Sequence, residues 1–487
     1  SVRPNARTCR APYTVFFPPS RRIIAAMLYH LLLASSEGGH HAALNLPLWT
    51  VIPFVGLLLT IGVMSFIAAN YPHHPVAHIW ENNNYKLGIA TLWAIPVLVL
   101  FASIGNWSPI LHSLEEYFAF IVLIFSLFAI SGGIYLEGDL KATPLVNTIF
   151  LAIGAVIANF FGTAGASMIL IRPLLRTNSE RAITSHIPIF FIFIVSNIGG
   201  SLLPIGDPPL FLGYLRGVPF FWTLRLIPEW AFTVGLLLII FYIWDSRAYK
   251  REERYIKALE EKTFRPLKLK GAINFLWLLG VLAAVIFLTP KQLEAWGLMH
   301  GPMKFLREYV MLFFTALSFV TSPLNSETRK ENNFTFEPIK EVAFLFIGIF
   351  IAMVPALEIL RAKGPALGLT EPWQFFWATG ILSGFLDNAP TYLTFLSLAQ
   401  GVAEHIPERF ASMPHVVGVP SKLLVAISIG AVFMGANTYI GNAPNFLVKS
   451  IADEWGYKTP DFFTYMLKYA FPILLPIFVV VTVIFLL

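Results

Sequence analysis

Ser196-Asn197-Ile198-Gly199-Gly200-Ser201-Leu202-Leu203-Pro204-Ile205-Gly206-Asp207-Pro208-Pro209 interrupts a hydrophobic run that begins near Ile187. The stretch is rich in helix breakers and carries an ionisable side chain. In a bilayer, freed backbone groups and a carboxylate are tolerated only where they line a polar cavity or are buried in protein. An acid at a break in a membrane helix therefore reads as part of a transport site. A counterpart lies in the second half of the chain: Met434-Gly435-Ala436-Asn437-Thr438-Tyr439-Ile440-Gly441-Asn442-Ala443-Pro444-Asn445-Phe446-Leu447.

Working outward, composition agrees with a membrane environment. The 487 residues are 56% hydrophobic and 13% charged, with a mean hydropathy of +0.68. A soluble domain carries about 25% charged residues. Apolar runs of about 20 residues, the length needed to span a bilayer, recur throughout. They read as 48–69, 87–104, 116–136, 147–176, 183–215, 223–244, 271–288, 302–321, 341–360, 372–404, 420–453 and 466–487. Two of these, with small or polar centres at Gly162-Thr163-Ala164-Gly165 and Asp387-Asn388-Ala389-Pro390, read as re-entrant hairpins rather than crossings. The expectation is an all-α membrane protein of about ten transmembrane helices plus two re-entrant hairpins. Its partners are membrane lipid and small inorganic ions. The net charge of +6 sits in loops, which excludes nucleic-acid binding as its meaning. The single Cys9 excludes a disulfide framework and any multi-cysteine metal site.

The halves repeat. A shift of 235 positions, which carries Gly206 onto Gly441, also carries Gly200, Ile205, Pro209, Phe211 and Leu212 onto Gly435, Ile440, Pro444, Phe446 and Leu447. A shift of 225 carries Glu116, Phe160 and Ala164 onto Glu341, Phe385 and Ala389. The difference is absorbed by the extra loop Glu404–Ser421. Each half then holds five crossings and one hairpin, and an odd number of crossings makes the repeats inverted. The expected division is an N-terminal extension (1–45), membrane repeat 1 (46–246), a basic cytoplasmic loop (247–270) and membrane repeat 2 (271–487). Nine Lys and Arg fall within Asp245–Lys270, which places that segment inside. Counting back and forward puts Arg172, Arg176, Arg181, Arg329, Lys330 and Lys340 on the same side. Asn106–Glu116, without a Lys or Arg, falls outside, as do both ends of the membrane domain. The expected location is the cell inner membrane. Residues 1–22 hold five Arg and no acid, and Arg21-Arg22 followed by Ile23–Leu33 and Ala34-Ser35-Ser36 resembles a signal peptide. A true start at Met27 is the other reading, and both stay open.

The tips and breaks supply the candidate site. Thr163, Asn197, Ser201 and Asp207 come from the first half; Asp387, Asn388, Thr391, Asn437, Thr438 and Asn442 come from the second. Ser167, Ser196 and Asn445 lie among them. These are hard oxygen donors, suited to a small hard cation, and Asp207 and Asp387 are the Na⁺ candidates. A proton and a cation exclude each other from one carboxylate, so alternating access would yield exchange. Asp207, followed by Pro208 at a first-turn position, is also expected to cap a half-helix. Glu116 and Glu341 are expected at the interface, at helix N-termini. His40, His41, His73, His74 and His78 lie in loops without acidic or cysteine partners, a poor metal site. No cofactor is expected, with Na⁺ and H⁺ as transported or coupling ions.

At Ser196–Leu212 and Phe385–Leu393 the chain resembles the ion transporter superfamily. That group includes NhaD-type sodium/proton antiporters, citrate and dicarboxylate transporters, and arsenite pumps. Pro204-Ile205-Gly206-Asp207 and Asp387-Asn388-Ala389-Pro390 resemble the acidic motifs of the NhaD-type antiporters; the citrate-transport branch is the other near relative. The resemblance spans about residues 46–487 and implies cation and proton coupling at Asp207, Asp387 and Asn388. Homodimers are usual in related folds, and no residue of this chain specifies one. Dicarboxylate carriers hold Ser-Asn-Thr at both tips, where this chain has Phe161-Gly162-Thr163 and Leu386-Asp387-Asn388. Pro208-Pro209 departs from the antiporter pattern. An Asp in place of a neutral amide repels a bound carboxylate. The leading expectation is thus a secondary transporter exchanging Na⁺ or Li⁺ for protons, not an enzyme. The alternative is a citrate, carboxylate or oxyanion transporter coupled to Na⁺ or H⁺, for which Arg172 is the one in-span counter-charge. An intramembrane aspartyl protease is disfavoured, because Asp207 follows Pro-Ile-Gly rather than Gly-x-Gly.

Overall fold

Length and apolarity decide which segments can cross a bilayer, and packing decides which of them do. The computed structural model describes residues 46–71, 73–252, 265–299 and 301–487. The N-terminal extension with its signal-peptide reading, His40-His41 and the middle of the basic loop lie outside the described residues. Helices of eight residues or more are numbered here in chain order. The first half holds α1 (Ile52–Asn70), α2 (Asn83–Ile104), α3 (Ser108–Ser131), α4 (Pro144–Thr177), α5 (His186–Ile194), α6 (Pro208–Leu215) and α7 (Ile227–Arg251). The second holds α8 (Ile273–Phe287), α9 (Leu306–Thr321), α10 (Glu337–Ala352), α11 (Val354–Lys363), α12 (Pro372–Phe385), α13 (Asn388–His405), α14 (Ser421–Met434), α15 (Ala443–Glu454) and α16 (Phe471–Val481). Among the described residues six helices are long and apolar enough to cross a membrane, or seven if α10 and α11, bent by 43°, form one span. Large side chains such as Leu92, Val99, Phe313 and Val320 point outward, as a lipid-facing surface requires. The chain is an all-α multi-pass membrane protein.

The 34-residue α4 is not one crossing. Gly162 takes φ +72°, ψ 153°, a conformation open to glycine, and the helix doubles back there. The amides of Asn147 and Asn178, near the two ends, exchange hydrogen bonds of 2.8 and 2.9 Å. In a straight helix they would stand about 46 Å apart. Arms 144–161 and 163–177 therefore form the expected first hairpin. The second is α12 and α13, with its break at Leu386 and Asp387. Phe375 and Phe395 pack ring to ring across it, and Arg409 pairs with Glu371 at its open end.

The hairpins enter from opposite faces. The open end of the first is tied to Asp245, in the C-terminal part of α7: Asn147 donates to its carboxylate at 3.0 Å and Arg181 at 2.6 Å. The open end of the second continues into α14, whose first residue Ser421 lies 3.5 Å from Arg225, just before the N-terminus of α7. Basic residues gather on the Asp245 face. There Arg176 bonds Gly138 and Tyr135, Lys270 pairs with Glu137 and Glu331, and Arg329 donates to the carbonyl of Ala129. On the other face Glu115 pairs with Lys304 and Glu116 with Arg216.

The described end of the basic loop, Arg265–Lys270, forms a strand, β2, paired antiparallel with β1 (Tyr135–Asp139). Alternation of Leu267 and Leu269 with Lys268 and Lys270 is the period-two pattern a strand displays. Glu116 and Glu341 do not serve helix N-termini. Glu116 sits two turns inside α3 against Arg216 and His112, and Glu341 pairs with Lys86 at 2.6 Å.

The hairpin form of α4 has a direct test. With Cys9→Ser as background, Asn147→Cys/Asn178→Cys should be joined within one chain by a short thiol-reactive cross-linker. The single variants should not react. An uncross-linked double variant with both thiols labelled would mean a continuous helix.

Candidate functional site

Both broken helices fail for the same local reasons. After α5 the chain runs through Asn197 (φ −138°, ψ −87°) and a single 3₁₀ turn, Ile198–Ser201, before restarting at Pro208. After α14 it makes the turn Gly435–Asn437 and restarts at Ala443. Each restart has prolines in its first turn, where a missing N–H costs nothing. The turns are so tight that a Cβ on Gly206 would lie 2.1 Å from the Gly200 carbonyl oxygen; on Gly441 it would lie 2.6 Å from that of Gly435. Asp207 and Asn442, which the repeat pairs, share an extended backbone (φ −144°, ψ 143° and φ −155°, ψ 139°).

Asp207 is the centre of the site. It is buried, and its carboxylate accepts three side-chain hydrogen bonds from three different elements. Thr163 Oγ1, at the first hairpin tip, donates to Oδ1 at 2.7 Å. Asn442 Nδ2, at the second break, donates to the same oxygen at 3.0 Å. Asn388 Nδ2, at the second hairpin tip, donates to Oδ2 at 2.7 Å. Thr163 and Asn388 occupy repeat-equivalent positions, so the two tips grip one carboxylate from either side. The backbone N–H of Thr163 donates to the Gly206 carbonyl at 2.7 Å, which fixes the first tip to the break.

Asp207 does not cap its helix. Pro208 and Pro209 have no N–H to offer, and the N–H of Leu210 goes to the Asp207 backbone carbonyl at 3.1 Å. The capping acid is Asp387: its half-buried carboxylate accepts from the N–H of Ala389 at 3.0 Å. Asp207 and Asp387 line one cavity of about 80 Å³, with Gly162, Thr163, Gly206 and Asn442 beside them. Phe120, Leu123 and Leu127 of α3 and Phe346 of α10 close its apolar wall. No Lys, Arg or His lines it among the described residues.

The other expected residues separate into two groups. Asn197 belongs to the central network: its Oδ1 accepts from Asn442 at 3.2 Å and its Nδ2 donates to Asn445 Oδ1 at 2.6 Å. Among the described residues, Asn388 Oδ1 and Asn437 Oδ1 are buried and without hydrogen-bond partners. Ser201, Thr391 and Thr438 are spent on backbone instead, donating to the carbonyls of Ile198, Asp387 and Gly384. Asn159 and Asn445 do the same service for the breaks. Asn159 holds the Gly199 carbonyl and the Leu202 N–H, each at 2.7 Å; Asn445 holds the carbonyls of Gly435 and Thr438. Ser167 and Ser196 share a 2.8 Å bond across the first hairpin and break. The apolar wall from α3 and α10 had no motif to announce it, since Phe and Leu at helical spacing read as core. Among the described residues no group of three His, Cys, Asp or Glu side chains could hold a metal ion, and His74 merely caps a short helix.

Four helix N-termini meet at the cavity: the arm 163–177, α6, α13 and α15 each begin at a lining residue or beside one. Their dipoles direct positive ends into it. Re-entrant tips and broken helices meeting around a buried acid define a membrane transport fold. The chain belongs to the family described as putative citrate transport, matched over residues 43–486. No curated protein matches it. The family agrees with the citrate-transport branch among the sequence expectations.

The grip on Asp207 predicts a stability signature. Thr163→Val leaves a buried acceptor short of one partner and should cost about 1–3 kcal/mol in denaturant unfolding, while Thr163→Ser should cost much less. Equal losses in the two variants would show that the hydroxyl's bond to Asp207 contributes little.

Proposed function

We propose that this protein is a secondary active transporter that carries a citrate-type carboxylate across the cell inner membrane together with Na⁺ or H⁺. The observation that carries this reading is the convergence of four half-helix N-termini on the cavity. Helix N-termini favour anions without any basic side chain. A carboxylate can therefore be favoured at a cavity that no Lys, Arg or His lines among the described residues. Membership in the citrate-transport family supports the same reading. Asp207 and Asp387 then belong to the coupling machinery. Their charge would repel a bare carboxylate, so the substrate enters with cations, for which the free amide oxygens of Asn388 and Asn437 are suitable ligands. Alternating access follows from the two tips, each free to withdraw toward its own face. We assign the Asp245 face to the cytoplasm because the basic residues gather there.

A second reading, exchange of Na⁺ or Li⁺ for protons, is favoured by one observation: two carboxylates and no basic residue line the cavity. Purified protein in liposomes separates the two. Labelled citrate should accumulate only under an inward Na⁺ or proton gradient. Asp207→Asn and Asp387→Asn should each lower uptake about tenfold or more, the scale of a lost charge-assisted interaction. Absence of citrate uptake, with a pH gradient that collapses on adding Na⁺ or Li⁺ alone, would replace carboxylate transport by cation exchange.

A further inference from the structure

Four arginines are buried among the described residues: Arg172, Arg181, Arg307 and Arg329. Arg181, Arg307 and Arg329 have ion-pair or hydrogen-bond partners, although Arg181 Nε, 3.8 Å from Glu252, makes no hydrogen bond of its own among the described residues. Arg181 pairs with Asp245, Arg307 with Glu308, and Arg329 donates to Ser322, Ala129 and Ser318. Arg172 differs. It is only 6% exposed, yet among the described residues its Nη1 has no hydrogen-bond partner and no acid lies within ion-pair distance. Glu454 and Tyr135 act on it only from farther away. A buried guanidinium without a partner is costly, because charge is removed from water without compensation.

Its position gives the cost a use. Arg172 lies on the inner hairpin arm, nine residues beyond Thr163, or about 14 Å along the helix axis. The far end of that arm meets the far end of α15, just beyond which the Tyr457 hydroxyl donates to the Leu175 carbonyl at 2.6 Å, so both run from the cavity toward the Asp245 face. Thr163 and Asn442 mark their inner ends. Arg176, one turn farther out, bonds Tyr135 and Gly138 and stacks against Trp455, just past α15. Arg172 is thus the innermost cation on the arm itself, one turn closer to the cavity than Arg176. The guanidinium fork matches a carboxylate in a bidentate arrangement.

We propose that Arg172 is a docking point for a substrate carboxylate between the Asp245 face and the cavity, a station distinct from the Asp207 site. This rests on the carboxylate reading above. Binding is tested without transport by labelling the purified full chain with phenylglyoxal and following Arg172 by mass spectrometry. Citrate should slow its modification saturably, chloride at matched ionic strength should not, and protection should persist in Asp207→Asn. Labelling at one rate with and without citrate overturns the proposal, as does a residue that never labels. In vesicles of fixed orientation, Arg172→Gln should raise the KM for citrate about tenfold at the Asp245 face only, the expected scale for one charged hydrogen bond. Vmax should hold, and Arg172→Lys should recover part of the affinity. An equal rise at both faces, or a fall in Vmax alone, overturns it as well. Citrate protection in a protein that carries no citrate would overturn the proposed function while upholding the docking point.

Discussion

The carboxylate of Asp207 holds the centre of the molecule together. A charge buried at a break in a membrane helix is tolerable only if its acceptor sites are filled, and here donors from three other elements fill them. Two donors sit on hairpin tips that enter from opposite faces. The third is the repeat-equivalent of Asp207 itself, so the two halves are joined by a bond between corresponding residues. Neither hairpin can withdraw without surrendering a hydrogen bond to a charged group, about 1.5–3 kcal/mol. That is small enough to break in a transport cycle and large enough to keep the tips from parting idly.

Around this centre the chain solves the problem of irregular backbone in a bilayer. Breaking a helix frees carbonyls and N–H groups that lipid cannot satisfy. Side chains take the place of the missing helical partners. Asn159 and Thr223 serve the first break, accepting from or donating to Leu202 and Gly199. Asn445 and Thr438 serve the second, Thr438 Oγ1 accepting from the N–H groups of Ile440 and Gly441. The amide of Asn197 links the two sets through Asn442 and Asn445. Polar residues near a break therefore serve the backbone first, and Ser201 and Thr391 each donate to a carbonyl beside a break or tip.

The architecture was legible because breakers and acids are rare in apolar runs, and because glycines and prolines matched at fixed shifts. Gly200, Gly206, Gly435 and Gly441 recur since each pair forms a turn too tight for a Cβ. The tips were legible too, through Gly162 and Asp387. What the sequence did not disclose was the division of labour between the acids. Asp207 was expected to cap and does not, because two prolines remove the N–H groups; Asp387 caps because Ala389 has one to give. Nor did it disclose that Thr163 and Asn388 meet on one carboxylate, which depends on how the hairpins dock rather than on local spacing. The strand Arg265–Lys270 went unread for a similar reason: its partner lies far upstream at Tyr135–Asp139.

Charge balance then constrains what the cavity can hold. Each half-helix N-terminus contributes about +0.5 of an elementary charge at most, so four supply about +2. Asp207 and Asp387, if both ionised, supply the opposite amount. The protein's own charges at the cavity are thus close to balance, and a small imbalance decides its preference. One cation or proton at either aspartate tips it toward anions. An arriving polycarboxylate must have the rest of its charge met by further cations, because an uncompensated charge in this apolar wall of Phe120, Leu123, Leu127 and Phe346 is prohibitively costly. Coupling is in that sense a consequence of electroneutrality in a low-dielectric site. Under the proposed carboxylate reading, the aspartates that argue against a bare carboxylate become the reason that one would travel only with its cations.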